Sequence, residues 1–241
     1  LFTADGGSSL GGRELWRSDG TEGGTFRVKD IYPGVSTSNP SYLLNFNGAM
    51  YFSANDGTNG TELWKTDGTE GGTVMVANIN PGGGSSSPSQ LKNLNDTLFF
   101  AASDGTNGTE LWKSDGTAGG TSLVKDIYTG SSSSSPSGFA ALNGKLLFRA
   151  TDATNGAELW QSDGTSANTA LLKDIWPGSS SSSLQELQTV NGRAFFQAND
   201  GMTGREMWQT DGTLAGTVLL KDFYNAGDSF PQFFTDLDDI L

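Results

Sequence analysis

Apolar residues fall in short runs along this chain, separated by stretches of Gly, Ser, Thr, Asn and Asp. The stretch from Ser89 onward shows the pattern most clearly. SQLKNL (Ser89–Leu94) alternates loosely, with Leu91 and Leu94 as inward positions. Asn95-Asp96 follows, and LFFAA (Leu98–Ala102) makes a second run. SDGTNGT leads to ELWKS, DGTAGGT leads to SLVKDI, and YTGSSSSSPS closes the unit. The pattern predicts four antiparallel strands, a to d, joined by short turns. The a–b turn reads Asn47-Gly48, Asn143-Gly144 and Asn191-Gly192 elsewhere in the chain. Asn-Gly between apolar runs signals a two-residue hairpin, because both residues tolerate positive φ.

The unit recurs. Trp16, Trp64, Trp112, Trp160 and Trp208 lie 48 residues apart, so five repeats span the 241 residues. A four-stranded unit of this size matches a propeller blade, and blades must stack to bury both sheet faces. The predicted fold is all-β: a five-bladed β-propeller in a single domain, 1–241, with the repeated ELW motif at 14, 62, 110, 158 and 206. Leu241 aligns with Leu98 and Leu1 with Phe99. Residues 232–241 are therefore expected to complete blade one and close the ring, which would remove exposed strand edges. A slice of a longer array would match at its ends in the same way. The start at Leu1, without Met or signal peptide, suggests a piece of a longer precursor.

Composition narrows the chemistry. There is no Cys and no His, which excludes disulfides, imidazole catalysis and the usual zinc ligand sets. The formal net charge of −13 argues against nucleic acid as a partner. No apolar run is long enough to insert in a membrane as a helix. A hydrophobic fraction of 34% would suggest disorder were the apolar residues not placed so regularly.

Turn residues also repeat. Gly24, Gly72, Gly120 and Gly216 precede Thr25, Thr73, Thr121 and Thr217, and Asn168 takes the Gly place before Thr169. Gly exchanged only for Asn predicts a left-handed backbone there. The shared Thr predicts a hydroxyl bonded to the turn backbone.

The motifs ELWRSDGT at Glu14, ELWKTDGT at Glu62, ELWKSDGT at Glu110, ELWQSDGT at Glu158 and EMWQTDGT at Glu206 resemble the bacterial ELWxxDGT repeat family over the full chain. The resemblance implies a secreted or cell-surface protein with a poorly defined role. The turn also resembles, loosely, the Asp-box of sialidases. In size and blade number the chain is similar to tachylectin, a five-bladed sugar-binding propeller, although that protein's motifs are missing.

Trp16, Trp64, Trp112, Trp160 and Trp208 read as core residues between blades, since repetitive packing needs one large side chain at one strand position. The adjacent Glu14, Glu62, Glu110, Glu158 and Glu206 suit a structural bond to backbone or Thr. The position after KDI, namely Tyr32, Asn80, Tyr128, Trp176 and Tyr224, opens the d–a loop. An aromatic among hydroxyls and amides suits a sugar; the competing reading is a loop anchor against the next blade. Asp56 to Glu62 and Asp104 to Glu110 offer oxygen ligands for a weak Ca2+ site, but without an EF-hand's pattern; a plain Asx turn is the default, and no cofactor or metal is assigned. Asn59, Asn95 and Asn107 fit a glycosylation sequon and read as turn residues. Glu186 and Asp236 are the carboxylates that strand a offers for glycoside hydrolysis, among Asn45, Lys92, Asn93 and Gln188, without a supporting motif. No catalytic residue is assigned.

The expectation is therefore a non-enzymatic extracellular or surface binding module with a glycan as first-choice ligand. The alternative is a structural or protein-interaction propeller within a larger surface assembly, and a glycoside hydrolase comes third.

Overall fold

The computed structural model describes residues 1–7, 11–225 and 227–235. Among them are nineteen strands in five antiparallel sheets. The first holds β1 (Phe2–Asp5), β2 (Arg13–Arg17) and β3 (Phe26–Lys29). The second runs β4 (Ser41–Phe46), β5 (Ala49–Asn55), β6 (Thr61–Thr66), β7 (Val74–Ala77), and the third β8 (Ser89–Leu94), β9 (Thr97–Ser103), β10 (Thr109–Ser114), β11 (Ser122–Lys125). The fourth runs β12 (Ser137–Leu142), β13 (Lys145–Asp152), β14 (Gly156–Ser162), β15 (Ala170–Lys173), and the fifth β16 (Gln185–Val190), β17 (Arg193–Asn199), β18 (Arg205–Thr210), β19 (Val218–Lys221). The chain divides into two compact units, Leu1–Leu123 and Val124–Leu241.

The four-stranded meander follows from the turn chemistry. Asn47 and Gly48 both have positive φ (48° and 80°), as do Asn143 and Gly144 (51° and 76°) and Asn191 and Gly192 (46° and 71°). Two left-handed residues give the turn whose twist matches the flanking strands. The first strand of each complete sheet then contains a register shift at Tyr42, Gln90, Gly138 or Glu186, all at positive φ. A second bulge leaves Val28, Val76, Leu172 and Leu220 as extra residues in the last strands.

The core is built between repeats. Leu15, Val28 and Ile31 pack with Phe52, Ala54 and Trp64 of the next repeat. Leu63, Val76 and Ile79 pack with Phe100, Ala102 and Trp112. Leu159, Leu172 and Ile175 pack with Phe196, Ala198 and Trp208. One repeat thus supplies a Leu, a bulge residue and an Ile, and its successor supplies Phe, Ala and Trp. Polar staples run the same way: the ammonium Nζ of Lys29 donates to the Thr73 carbonyl (2.8 Å) and that of Lys125 to the Thr169 carbonyl (2.7 Å).

The DGT turn is held by its own side chains. Asp67 Oδ1 accepts from the Thr69 N–H (2.9 Å) and hydroxyl (2.7 Å), and Thr73 donates its hydroxyl to the Thr69 carbonyl (2.6 Å). The left-handed residue here is Gly68 (φ 89°), not Gly72. Gly72 is favoured for another reason. A Cβ there would stand 2.0 Å from Asp67 Oδ1. Asn168 fits in the fourth repeat with its amide donating to Asp163 Oδ2 (2.7 Å). The expectation of a left-handed backbone at this position is corrected accordingly.

The expected ring closure is also corrected. The described strands make five separate sheets, and none closes on itself. The first sheet has three strands among the described residues, and residues 227–235 form no strand. Phe233 (φ 60°, 86% exposed) takes the left-handed bulge place of Tyr42, Gln90 and Glu186, but without strand pairing among the described residues. Of the segment 232–241 expected to complete blade one, residues 236–241, Asp236 and Leu241 included, lie outside the described residues. Aligned ends establish that two segments are alike, not that they meet.

Candidate functional site

The Glu of the ELW motif is fully buried in every repeat. Glu62 on β6 accepts from the N–H of Ile79 (2.9 Å) and Ser86 (3.0 Å), from the Ser86 hydroxyl (2.6 Å) and from the Asn80 N–H (3.4 Å). Glu14 makes the same set with Ile31, Tyr32 and Ser38, and Glu206 with Phe223 and Ser229. Glu158 accepts from Ile175 N–H (2.9 Å) and Ser182 N–H (2.7 Å). The carboxylate therefore ties strand c to the exit of strand d and to the far end of the Ser-rich loop. Burial pushes the Glu62 carboxyl above its ordinary range, against the bonds from Ser86 and Ile79. For Glu158 burial prevails over its bonds and the nearby Asp174 charge adds to it, so its carboxyl is pushed up to about 7.

Sequence reasoning missed the serine in this network. Ser38, Ser86, Ser134 and Ser182 are buried, yet in the sequence each stands in a run of small polar residues. Only its distance from the motif Glu, 24 residues in the first, second and fourth repeats and 23 in the fifth, marks it.

The five positions after KDI sit where that network releases the chain. Tyr32, Asn80, Tyr128 and Trp176 are half-buried, and Tyr224 is 64% exposed. The Tyr32 ring lies against the Gly57 backbone, where a Cβ would stand 2.4 Å from Cε2. The Trp176 ring lies against Gly201, with Nε1 2.5 Å from such a Cβ. Asn80 approaches Gly105 in the same manner and donates to the Ser85 carbonyl (3.2 Å). One face of each of these groups is thus seated on the b–c loop of the next repeat. Tyr224 packs on Gly227 of its own loop. Trp64, Trp160 and Trp208 are 6% exposed and Trp112 9%, while Trp16 is half-buried.

The b–c loops are Asx turns. Asp56 Oδ1 accepts from the N–H of Thr58 and Asn59, and Oδ2 from the Asn59 amide (2.7 Å). Asp104, Asp152 and Asp200 hold their loops in the same way. Partial burial works against the ionised Asp56, but the bonds from Asn59 and Thr58 outweigh it and hold the carboxyl below its ordinary value. Asn59 and Asn107 donate to these turns, and Asn95 is a left-handed turn residue. Among the described residues no group of three or more His, Cys, Asp or Glu could hold a metal ion.

Two clefts lie beside c–d turns, away from the aromatic set. One, of 210 Å³, is lined by residues including Leu142, Lys145, Gln161 and Asp211. The other, of 320 Å³, is lined by residues including Thr97, Lys113, Asp115 and Gly120. Ligand sites for drug-sized molecules are usually clefts of about 300–1,000 Å³ with mostly apolar walls. Glu186 is an exposed bulge residue on β16 (φ 58°), and Asp236 lies outside the described residues. No helix among the described residues is long and apolar enough to cross a membrane.

No family model matches the chain, and no curated protein matches it. With the five sheets unclosed, the resemblance to the ELWxxDGT family and to a closed tachylectin-like ring stops at the motif itself. Solved structures show similarity of fold alone. Prolyl endopeptidases match with a TM-score of 0.54 at 12% identity, over 88% of this chain and 30% of theirs. A Mycobacterium tuberculosis puromycin-hydrolyzing peptidase matches with 0.53 at 12%, over 91% and 34%. A puromycin hydrolase matches with 0.52 at 17%, over 87% and 34%. The chain spans about a third of the length of these proteins. At these identities the likeness is one of all-β fold over part of those chains.

Proposed function

We propose that the chain is a non-enzymatic structural and protein-interaction module within a larger assembly. The observation that carries this reading is the internal use of the repeated carboxylates and hydroxyls of the ELW and DGT motifs and the Ser-rich loop. The motif Glu, the buried Ser and the turn Asp each spend their hydrogen bonds on the scaffold. What is left to meet a partner is loop surface that differs from repeat to repeat: Val35 (73% exposed), Met202 (84%) and Leu214 (63%). Likeness of fold to about a third of the length of larger proteins is consistent with a module within a larger assembly. The glycan reading has less support, since Tyr32, Asn80 and Trp176 are seated on the next repeat and neither cleft includes them.

The test sets polypeptide capture against glycan binding. The immobilised protein is offered the surface polypeptides of its source and, separately, a glycan array. The account expects saturable capture of a polypeptide, unchanged in a Tyr128→Ala, Trp176→Ala double variant that keeps its circular dichroism. Glycan binding lost in that variant, or glycoside turnover lost in Glu186→Gln, would overturn it.

A further inference from the structure

Six Asn residues are followed by Gly: Asn47, Asn59, Asn107, Asn143, Asn155 and Asn191. In such a pair the Gly nitrogen has no side chain beside it, and it can attack the Asn side-chain carbonyl carbon. The fold places the six in three different states. Asn59, Asn107 and Asn155 are half-buried in b–c loops. Their side-chain amides donate to one oxygen of Asp56, Asp104 and Asp152 at 2.7, 2.7 and 2.8 Å. Their backbone N–H groups donate to the other oxygen at 2.7, 2.8 and 2.6 Å. Asn143 is exposed, but its amide donates to the Asp211 carbonyl of the following repeat at 3.1 Å. Asn47 and Asn191 are exposed, and neither side chain has a partner among the described residues. Each opens a two-residue hairpin loop, with Phe46 paired to Ala49 and Val190 to Arg193, so the loop residues lie outside the strand ladder.

We propose that Asn47 and Asn191 are modification sites, where the folded chain converts its own side-chain amide to aspartate and isoaspartate with water as the only co-reactant. The nitrogen of Gly48 or Gly192 gives its proton to solvent base and bonds to the Asn Cγ. The amide nitrogen leaves as ammonia, and a cyclic succinimide forms. Water opens the ring at either carbonyl, giving aspartate or isoaspartate, and nothing is oxidised or reduced. Isoaspartate carries an additional methylene in the backbone. A two-residue loop left-handed at both positions (φ 48° and 80° at Asn47-Gly48) has no place for it. The disturbance falls beside the core, since Phe46 is 1% exposed and meets Tyr51 edge-on at 5.2 Å. The other four Asn side chains must first break the bonds that hold them. For Asn143 that is a neutral hydrogen bond, which slows conversion about fivefold to tenfold. For Asn59, Asn107 and Asn155 the bonds are to a carboxylate, and the factor rises to about a hundredfold.

Timed peptide mapping by mass spectrometry tests the proposal, on the full chain held folded at mildly alkaline pH. Asn47 and Asn191 are expected to convert first, Asn143 about fivefold to tenfold more slowly, and Asn59, Asn107 and Asn155 about a hundredfold more slowly. The same incubation in urea separates fold from sequence. There the six pairs are expected to convert at closely similar rates, because each Asn is followed by Gly and no holding bond remains. Asp56→Ala, with unchanged circular dichroism, is expected to bring Asn59 up towards the rate of Asn47 and to leave Asn191 as it was. Three results would each overturn the proposal. One is conversion of Asn47 and Asn191 no faster than that of the bonded Asn residues in the folded chain. Another is the same order of rates in urea. The last is an Asp56→Ala variant in which Asn59 stays as slow as in wild type.

Discussion

Truncation of one motif carboxylate is expected to be among the most damaging single changes to the scaffold. In Glu62→Ala the N–H groups of Ile79 and Ser86, bonded at 2.9 and 3.0 Å, lose their only acceptor in a region closed to water. Each orphaned buried donor costs about 1–3 kcal/mol. The Ser86 hydroxyl falls back on the Thr61 carbonyl at 3.3 Å, so its loss is smaller. Part of the total is returned, because burial already disfavours the Glu62 charge. The net expectation is about 3 kcal/mol. A chain of this size loses about 2–4 °C in melting temperature per kcal/mol, so the melt shifts down by about 10 °C. Far-UV circular dichroism melts and urea titrations at neutral pH read the change. A cycle with Ser86→Ala adds a second check. The double variant should lose less than the sum of the singles, because both remove the 2.6 Å bond. If Glu62→Ala melts within about 0.5 kcal/mol of wild type, the assignment of the motif to the scaffold is refuted.

Three further outcomes follow from the same geometry. The Glu158 carboxyl is pushed up from 4.5 to about 7 in the folded chain, so the folded state binds the proton more tightly. Its contribution to stability is full below pH 4.5 and is lost as pH rises through 7, on the order of 3 kcal/mol. Melts of wild type and Glu158→Gln across this window should show the variant with a flatter profile, and parallel profiles would count against the shift. Gly72→Ala should cost about 1–2 kcal/mol by driving its Cβ into Asp67, whereas Gly72→Asn should cost less, as Asn168 occupies that place in the fourth repeat; equal losses in urea titrations would contradict the close-approach argument. Gln90→Gly should raise stability by about 0.5–1 kcal/mol, because its left-handed bulge position is already Gly138 in the fourth repeat, and a loss in the same assay would contradict it.

The sequence disclosed the sheets well because each local signal agreed with its neighbours. Asn-Gly pairs marked the hairpins, the DGT motif marked the turn, and the spacing of ELW motifs set the period. What it concealed has physical causes. The left-handed residues Tyr42, Gln90 and Glu186 are side chains that carry no turn signature, so the first-strand bulge was invisible except at Gly138. Gly and Asn at the position of Gly72 suggest a left-handed backbone angle, when the Asp67 carboxylate crowds that place and a side chain there must bond it, as Asn168 bonds Asp163. The buried Ser is silent inside a run of like residues. Alignment of the ends suggests ring closure, but an alignment carries no information about whether two segments meet. The aromatic set was readable as loop-opening residues, but its seat on Gly57 and Gly201 depends on contacts between repeats that no single repeat encodes.

Hydroxyl-radical footprinting, comparing the chain alone with the chain in its native assembly, tests the central claim most directly. An interaction module predicts protection of exposed side chains such as Val35, Met202, Leu214 and Phe223, with the buried Trp64 and Trp160 unreactive in both states. Identical reactivity of every exposed side chain in the two states would contradict it.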